Sequence, residues 1–133
     1  MRDGNRMNIK TDIINSSIAE KPLQPKALLE MLADPDLFSL WQSIRSGETV
    51  PRKIMAITRI PQTTVYRKLT WLLDNGIIRG IVKDRKNTND PVKLYSVIED
   101  FSGNLNAKGQ TLNIKLWRKE DPLEVVTMRR TIQ

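Results

Sequence analysis

The side chains with which this chain could do chemistry gather in one short stretch. Thr63, Arg67 and Thr70 recur at intervals of four and three, with Thr64 and Tyr66 between them and Gln62 just before. If the stretch is helical, about 100° per residue puts Thr63, Arg67 and Thr70 on one face and Tyr66 and Thr64 on its flanks. Hydroxyls, a phenol, an amide and a guanidinium are hydrogen-bonding groups, suited to touching a polar surface rather than to making or breaking bonds. They are the groups that reach base edges and phosphates in a DNA major groove.

Bond-making chemistry finds little support elsewhere. The 133 residues include no histidine and no cysteine, which removes imidazole catalysis, thiolate nucleophiles and the common zinc sites. There is no glycine-rich phosphate loop and no evident carboxylate pair, so no constellation for an enzyme is visible and no metal or cofactor is implied. No run approaches the roughly 18 apolar residues of a membrane span. Residues 1 to 10 lack the apolar core of a signal peptide, and a cytoplasmic location is expected.

Charge points to the same stretch. Residues 51 to 93 hold ten lysines and arginines against three acids, which accounts for the whole formal excess of +7; the rest of the chain carries twelve of each sign. A block so localised reads as an electrostatic footprint for a polyanion.

The elements that must hold these groups can be laid out in order. Residues 1–24 mix charge, Asn and Ser with scattered isoleucines and read as a flexible arm. Pro25 to Ala33 reads as a first helix with Leu28, Leu29 and Leu32 as its apolar members. Asp34-Pro35-Asp36 opens a second, with an N-cap acid, proline at the first position and a further acid in the first turn. Leu37, Leu40, Trp41 and Ile44 form its core face. Thr49 to Thr58 reads as a short third helix burying Ile54 and Ile57. Thr58-Arg59-Ile60-Pro61 is a tight link into the helix that carries the polar row. There Val65, Leu69, Leu72 and Leu73 make the apolar side and Asn75-Gly76 the left-handed stop. Ile77 to Val82 and Val92 to Ile98 read as strands flanking the charged loop from Lys83 to Pro91. A turn at Ala107 to Gln110 separates two further strands, the second with the alternation of Leu112, Ile114 and Leu116. Asp121-Pro122-Leu123-Glu124 looks like a capped helix start, against which stands the β-branched run Val125-Val126-Thr127. A short helix and a frayed tail both fit residues 121–133.

Two helices joined by a tight turn, then strand, basic loop and strand, describe a winged helix-turn-helix. The chain resembles the ArsR-type regulators in Leu32-Ala33-Asp34-Pro35, in the run from Pro61 to Leu69 and in Asn75-Gly76-Ile77-Ile78; Thr58-Arg59-Ile60-Pro61 is also similar to the turn of IclR-type regulators. The expected fold class is α+β, mainly α: a winged helix-turn-helix domain over 25–98 and a β-hairpin extension over 99–120. Arg59 departs from the family where such turns usually carry glycine, at a cost on the order of 1 kcal/mol if left-handed. Metal sensing by thiols or imidazoles, known in part of the ArsR family, is excluded by composition.

The resulting expectation is sequence-specific binding of double-stranded DNA by a homodimer in transcriptional control, with no membrane partner and no legible small-molecule effector. Gln62, Thr63, Thr64, Tyr66, Arg67 and Thr70 would meet bases, Arg67 pairing with guanine through its planar fork. Arg52, Lys53, Lys68, Lys83, Arg85 and Lys86 would meet phosphates. Each has a plainer counterpart: Tyr66 packing over the strands, and Lys83, Arg85 and Lys86 as a solvated loop tip. An alternative in another class is a winged-helix protein-interaction module of the transcription or replication machinery, its basic face meeting an acidic partner.

Overall fold

A computed structural model describes residues 13, 15–17, 19–81, 92–118 and 124–129, the last stretch as backbone apart from the Thr127 side chain. Ile13, residues 15–17 and Ala19 are helical, and four further helices follow among the described residues: α1 (Pro25–Ala33), α2 (Pro35–Arg45), α3 (Pro51–Thr58) and α4 (Gln62–Asp74). Five strands follow: β1 (Ile78–Ile81), β2 (Lys93–Ser96), β3 (Ile98–Asn106), β4 (Thr111–Arg118) and β5 (Glu124–Arg129). The fold is helix-rich α+β, and the chain divides into two units, one up to Val97 and one from Ile98.

Proline begins each of α1, α2 and α3, where its fixed φ is preorganised and its missing N–H is no loss. Pro61 stands one position earlier relative to its helix, as the residue before α4, with an extended ψ of 144°. The first unit's core is the meeting of α2 with α1, α3, α4 and β2. Leu28 and Met31 of α1, Leu40, Trp41 and Ile44 of α2, Ile54 of α3 and Val65, Leu69, Leu72 and Leu73 of α4 are buried there. Trp41 spends its indole N–H on the Ser96 hydroxyl at 3.0 Å, so a buried polar atom has a partner and α2 is tied to β2. Strands β1 and β2 pair antiparallel, Ile78 opposite Ser96 and Ile81 opposite Lys93, and Thr49 adds a bridge to Leu94.

Several expectations are corrected. In α1 the buried members are Ala27, Leu28 and Met31, whereas Leu29 and Leu32 face outward. In α3 the buried stripe starts at Pro51 and runs through Ile54, with Met55 and Thr58 half-buried. Ile57 lies about 110° from the middle of that stripe and is 69% exposed. Within the stretch read as an arm, residues 1–24, the described residues 13, 15–17 and 19 are helical instead: Ile13 and Ser17 are buried, and the Ser17 hydroxyl donates to the Ile13 carbonyl at 2.7 Å, one helical turn back.

The second unit is a sheet of its own. Strand order is β3-β4-β5, all antiparallel, so the hairpin pairs within itself and does not extend the β1–β2 ladder. Ala107 to Gln110 form the expected turn, and the Asn106 side chain accepts from the Gly109 N–H at 3.0 Å. Ile114 and Leu116 are buried while Lys115 and Trp117 are exposed, the alternation of a half-buried strand. Residues 124–129 are a strand, where a helix or frayed tail was expected for 121–133. The β-branched run outweighs the capping pattern because its neighbour β4 offers a ladder from Thr111 to Leu116, opposite Arg129 to Glu124.

Candidate nucleic-acid interface

Helix α4 begins after Pro61, which has no side chain able to cap it, and no side-chain cap is made. Its first turn contains no acid. The same is true of α3, which follows Val50 and carries Arg52 and Lys53 in its first turn, both exposed. Cations there oppose the helix dipole, so they do nothing for the helix that bears them. Helix α2 shows the contrast within the same unit. Asp34 accepts from the N–H groups of Asp36 and Leu37 at 3.0 and 3.1 Å, and Asp36 adds an acid to the first turn. The starts of two consecutive helices are thus left positive and uncapped, a disposition that favours an anion.

The turn between them adds a third charge. Arg59 caps α3 in the left-handed region, φ 60° and ψ 20°, and donates its N–H to the Met55 carbonyl at 2.9 Å. The Thr58 side chain steadies the link, donating to the Ile54 carbonyl at 2.8 Å. With the backbone held by these bonds, Arg59 is exposed. It was not among the site residues expected from sequence, where it figured only as the departure from glycine; its place in the basic block was the signal.

On α4 itself, Gln62, Thr63 and Arg67 are exposed, and the opposite face, Val65, Leu69, Leu72 and Leu73, is buried. Thr64 and Thr70 are half-buried, and the Thr70 hydroxyl donates to the Tyr66 carbonyl at 2.9 Å. Two expected contacts are corrected. Tyr66 is only 9% exposed, and burial pushes its phenol above the ordinary range, so it is a core side chain rather than a base reader. A flank position on a helical wheel is decided by what packs beside it, and here α4 lies against α2, α3 and β1. Lys68, expected on a phosphate, instead pairs with Asp34 and stands 3.9 Å from Asp36, its side chain 13% exposed. Lys83, Arg85 and Lys86 lie outside the described residues.

What remains is a set of exposed groups on consecutive elements: Arg52 and Lys53 at the start of α3, Arg59 at the turn, and Gln62, Thr63 and Arg67 on α4. Exposed side chains here comprise four cations, an amide and a hydroxyl, with no exposed acid between residues 51 and 73. Among the described residues no group of histidines, cysteines and carboxylates could hold a metal ion. No described helix is long and apolar enough to cross a membrane. No family model, curated protein or solved structure matches the chain.

Proposed function

We propose that this chain binds double-stranded DNA through α4 as a homodimeric transcriptional regulator, with α3, α4, β1 and β2 serving as a winged helix-turn-helix. The observation that carries the reading is the division of α4: one face buried, the other presenting Gln62, Thr63 and Arg67, with the starts of both α3 and α4 uncapped and that of α3 carrying Arg52 and Lys53. Arg67, exposed and planar, is the guanine-reading candidate. Thr63 and Gln62 offer adaptable hydrogen bonds to neighbouring base edges, and Arg52, Lys53 and Arg59 supply phosphate contacts that set register without reading sequence.

Selection of bound sites from a random duplex pool at two salt concentrations tests specificity, symmetry and electrostatics together. A homodimer should recover half-sites about one helical turn apart. On the selected site, Arg67→Ala should cost about 1–3 kcal/mol and relax discrimination at one position per half-site. Equal weakening on every sequence would reassign Arg67 to a phosphate.

One observation favours a protein partner instead: Ile57, 69% exposed, stands beside Arg59 and the cations of α3. A pool that yields no enriched sequence, with duplex affinity that merely collapses as salt rises, would move the assignment to that class.

A further inference from the structure

Burial of the Val65, Leu69, Leu72 and Leu73 stripe holds α4 onto the unit and turns that face inward, but apolar contact is non-directional, and a hydrogen-bonded contact fixes rotation about the helix axis more sharply. Rotation matters because the exposed row reads a partner only in register. A turn of roughly 10° would carry a guanidinium about 1 Å sideways, the tolerance to which a recognition site must be held. A directional contact therefore sharpens what packing sets. Among the described residues, the ion pairs are those of Lys68 with Asp34 and Asp36; the Thr70 hydroxyl and the amide of the capping Asn75 close back on the helix's own backbone, and the bond from the Gln24 N–H to the Asn75 carbonyl lies just past the far end of α4.

Asp34 is unusually placed to supply that contact. Its backbone N–H donates to the Met31 carbonyl at 3.2 Å, closing α1. One carboxylate oxygen caps α2 through Asp36 and Leu37, and the other takes the Lys68 ammonium of α4. Three helices thus meet at a single residue. The cap fixes the carboxylate to the start of α2, so the oxygen facing Lys68 is a fixed point. Lys68, at 13% side-chain exposure, has little water to fall back on if that point is lost.

We infer that Asp34 is a positioning residue: through Lys68 it sets the rotation of α4 and hence the aim of Thr63 and Arg67, without touching the bound molecule. The inference rests on the DNA-binding reading for its consequence, but its geometric part stands on the free protein. It also reassigns Lys68 from phosphate contact to internal tether.

Asp34→Asn separates the two jobs of this side chain, because asparagine caps a helix as well as aspartate does yet carries no charge. Since Asp36 is near enough to inherit Lys68, Asp34→Asn is made both alone and with Asp36→Asn. Lys68→Met keeps the apolar stem and removes the ammonium; Lys68→Arg restores a cation. Two readouts are taken on the full chain, each variant being checked for a cooperative melt. The first is the orientation of α4 amide N–H vectors relative to α2, from residual dipolar couplings. The second is discrimination between the selected duplex and a scrambled one. In the Asp34→Asn, Asp36→Asn and Lys68→Met proteins α4 should reorient, and discrimination should fall about tenfold with an unchanged salt slope. Combining them should add nothing further, and Lys68→Arg should recover most of the loss. Unmoved α4 couplings in these variants overturn the inference. So does a Lys68→Met loss that is equal on all sequences and flattens the salt slope by about one, since that is the signature of a phosphate contact. If the wild-type chain selects no duplex, the DNA-binding reading fails on its own, and the couplings still decide whether Asp34 aims the helix.

Discussion

The turns at the two ends of α4 each place a residue at positive φ and fill the position differently. Gly76 has φ 71° and Arg59 has φ 60°. At Gly76 the surroundings leave no choice: a Cβ would land on the carbonyl of Pro22, whose neighbour Leu23 is as close. The segment leading into α1 is fastened there, with Gln24 donating its N–H to the Asn75 carbonyl at 2.9 Å. At Arg59 the surroundings are open and the side chain is exposed. The comparison separates two reasons for a left-handed residue. One end of α4 is closed by steric exclusion and serves the fold; the other accepts conformational strain of about 1–2 kcal/mol while placing a cation at the polar row. Strain tolerated where glycine would fit is the pattern expected of a working surface.

Breaking the closed end should have the largest effect. Gly76→Ala combines left-handed strain with overlap against backbone that cannot swing away, and should destabilise the first unit by about 3 kcal/mol or more. Its melting temperature should fall on the order of 10 °C. A melt within 2 °C or so of wild type would mean that Pro22 is not held against this turn. At the open end, Arg59→Gly should act in two directions at once. Stability should rise by up to about 1 kcal/mol as the strain goes, while duplex affinity falls and its salt slope flattens by about one unit per monomer. Denaturant melts and salt titrations on the same protein check this, and a variant that gains stability without losing affinity would leave Arg59 with no part in binding.

The smallest effect sharpens the comparison from the middle of the helix. The Lys68 hydrogen bond, opposed by partial burial and helped by the N–H groups of Leu37 and Asp36, holds the Asp34 carboxyl below its ordinary range. A depressed carboxylate contributes stability above its unfolded pKa, and that contribution disappears as pH falls through the folded one. The difference in melting temperature between wild type and Asp34→Asn should therefore be constant from neutrality down to about pH 5 and shrink below about pH 4. The Gly76→Ala deficit, being steric, should not shrink with it. An Asp34→Asn difference that persists unchanged at about pH 2 would place its origin in something other than the charge.

How much of this was legible beforehand divides along physical lines. The helix starts at Pro25, Pro35 and Pro51, the cap at Asp34, the apolar face of α4 and the alternation of β4 are local patterns, and local pattern is what a sequence displays. The exposed members of the candidate row, Arg52, Lys53, Gln62, Thr63 and Arg67, follow from the same periodicity. Tyr66 and Ile57 were placed on the wrong sides because each sits near the edge of its helix's apolar stripe, where the neighbouring element decides. Lys68 was assigned to a phosphate because its actual partner is 34 positions away. The burial of Ser17 was invisible for a similar reason: what accommodates it is Gly80, where a Cβ would overlap the serine side chain. That glycine gave no sign of its role in a stretch that reads simply as a strand.

The bond between Trp41 and Ser96 has a practical corollary. An indole sealed from water, its one donor committed across the unit, emits at the blue end of the tryptophan range and is hidden from soluble quenchers for as long as α2 and β2 stay seated together. Trp71 and Trp117 are more open and belong to other surfaces. Trp41 emission should therefore report the integrity of the helical unit, blue-shifted from that of the half-buried Trp71 and the exposed Trp117.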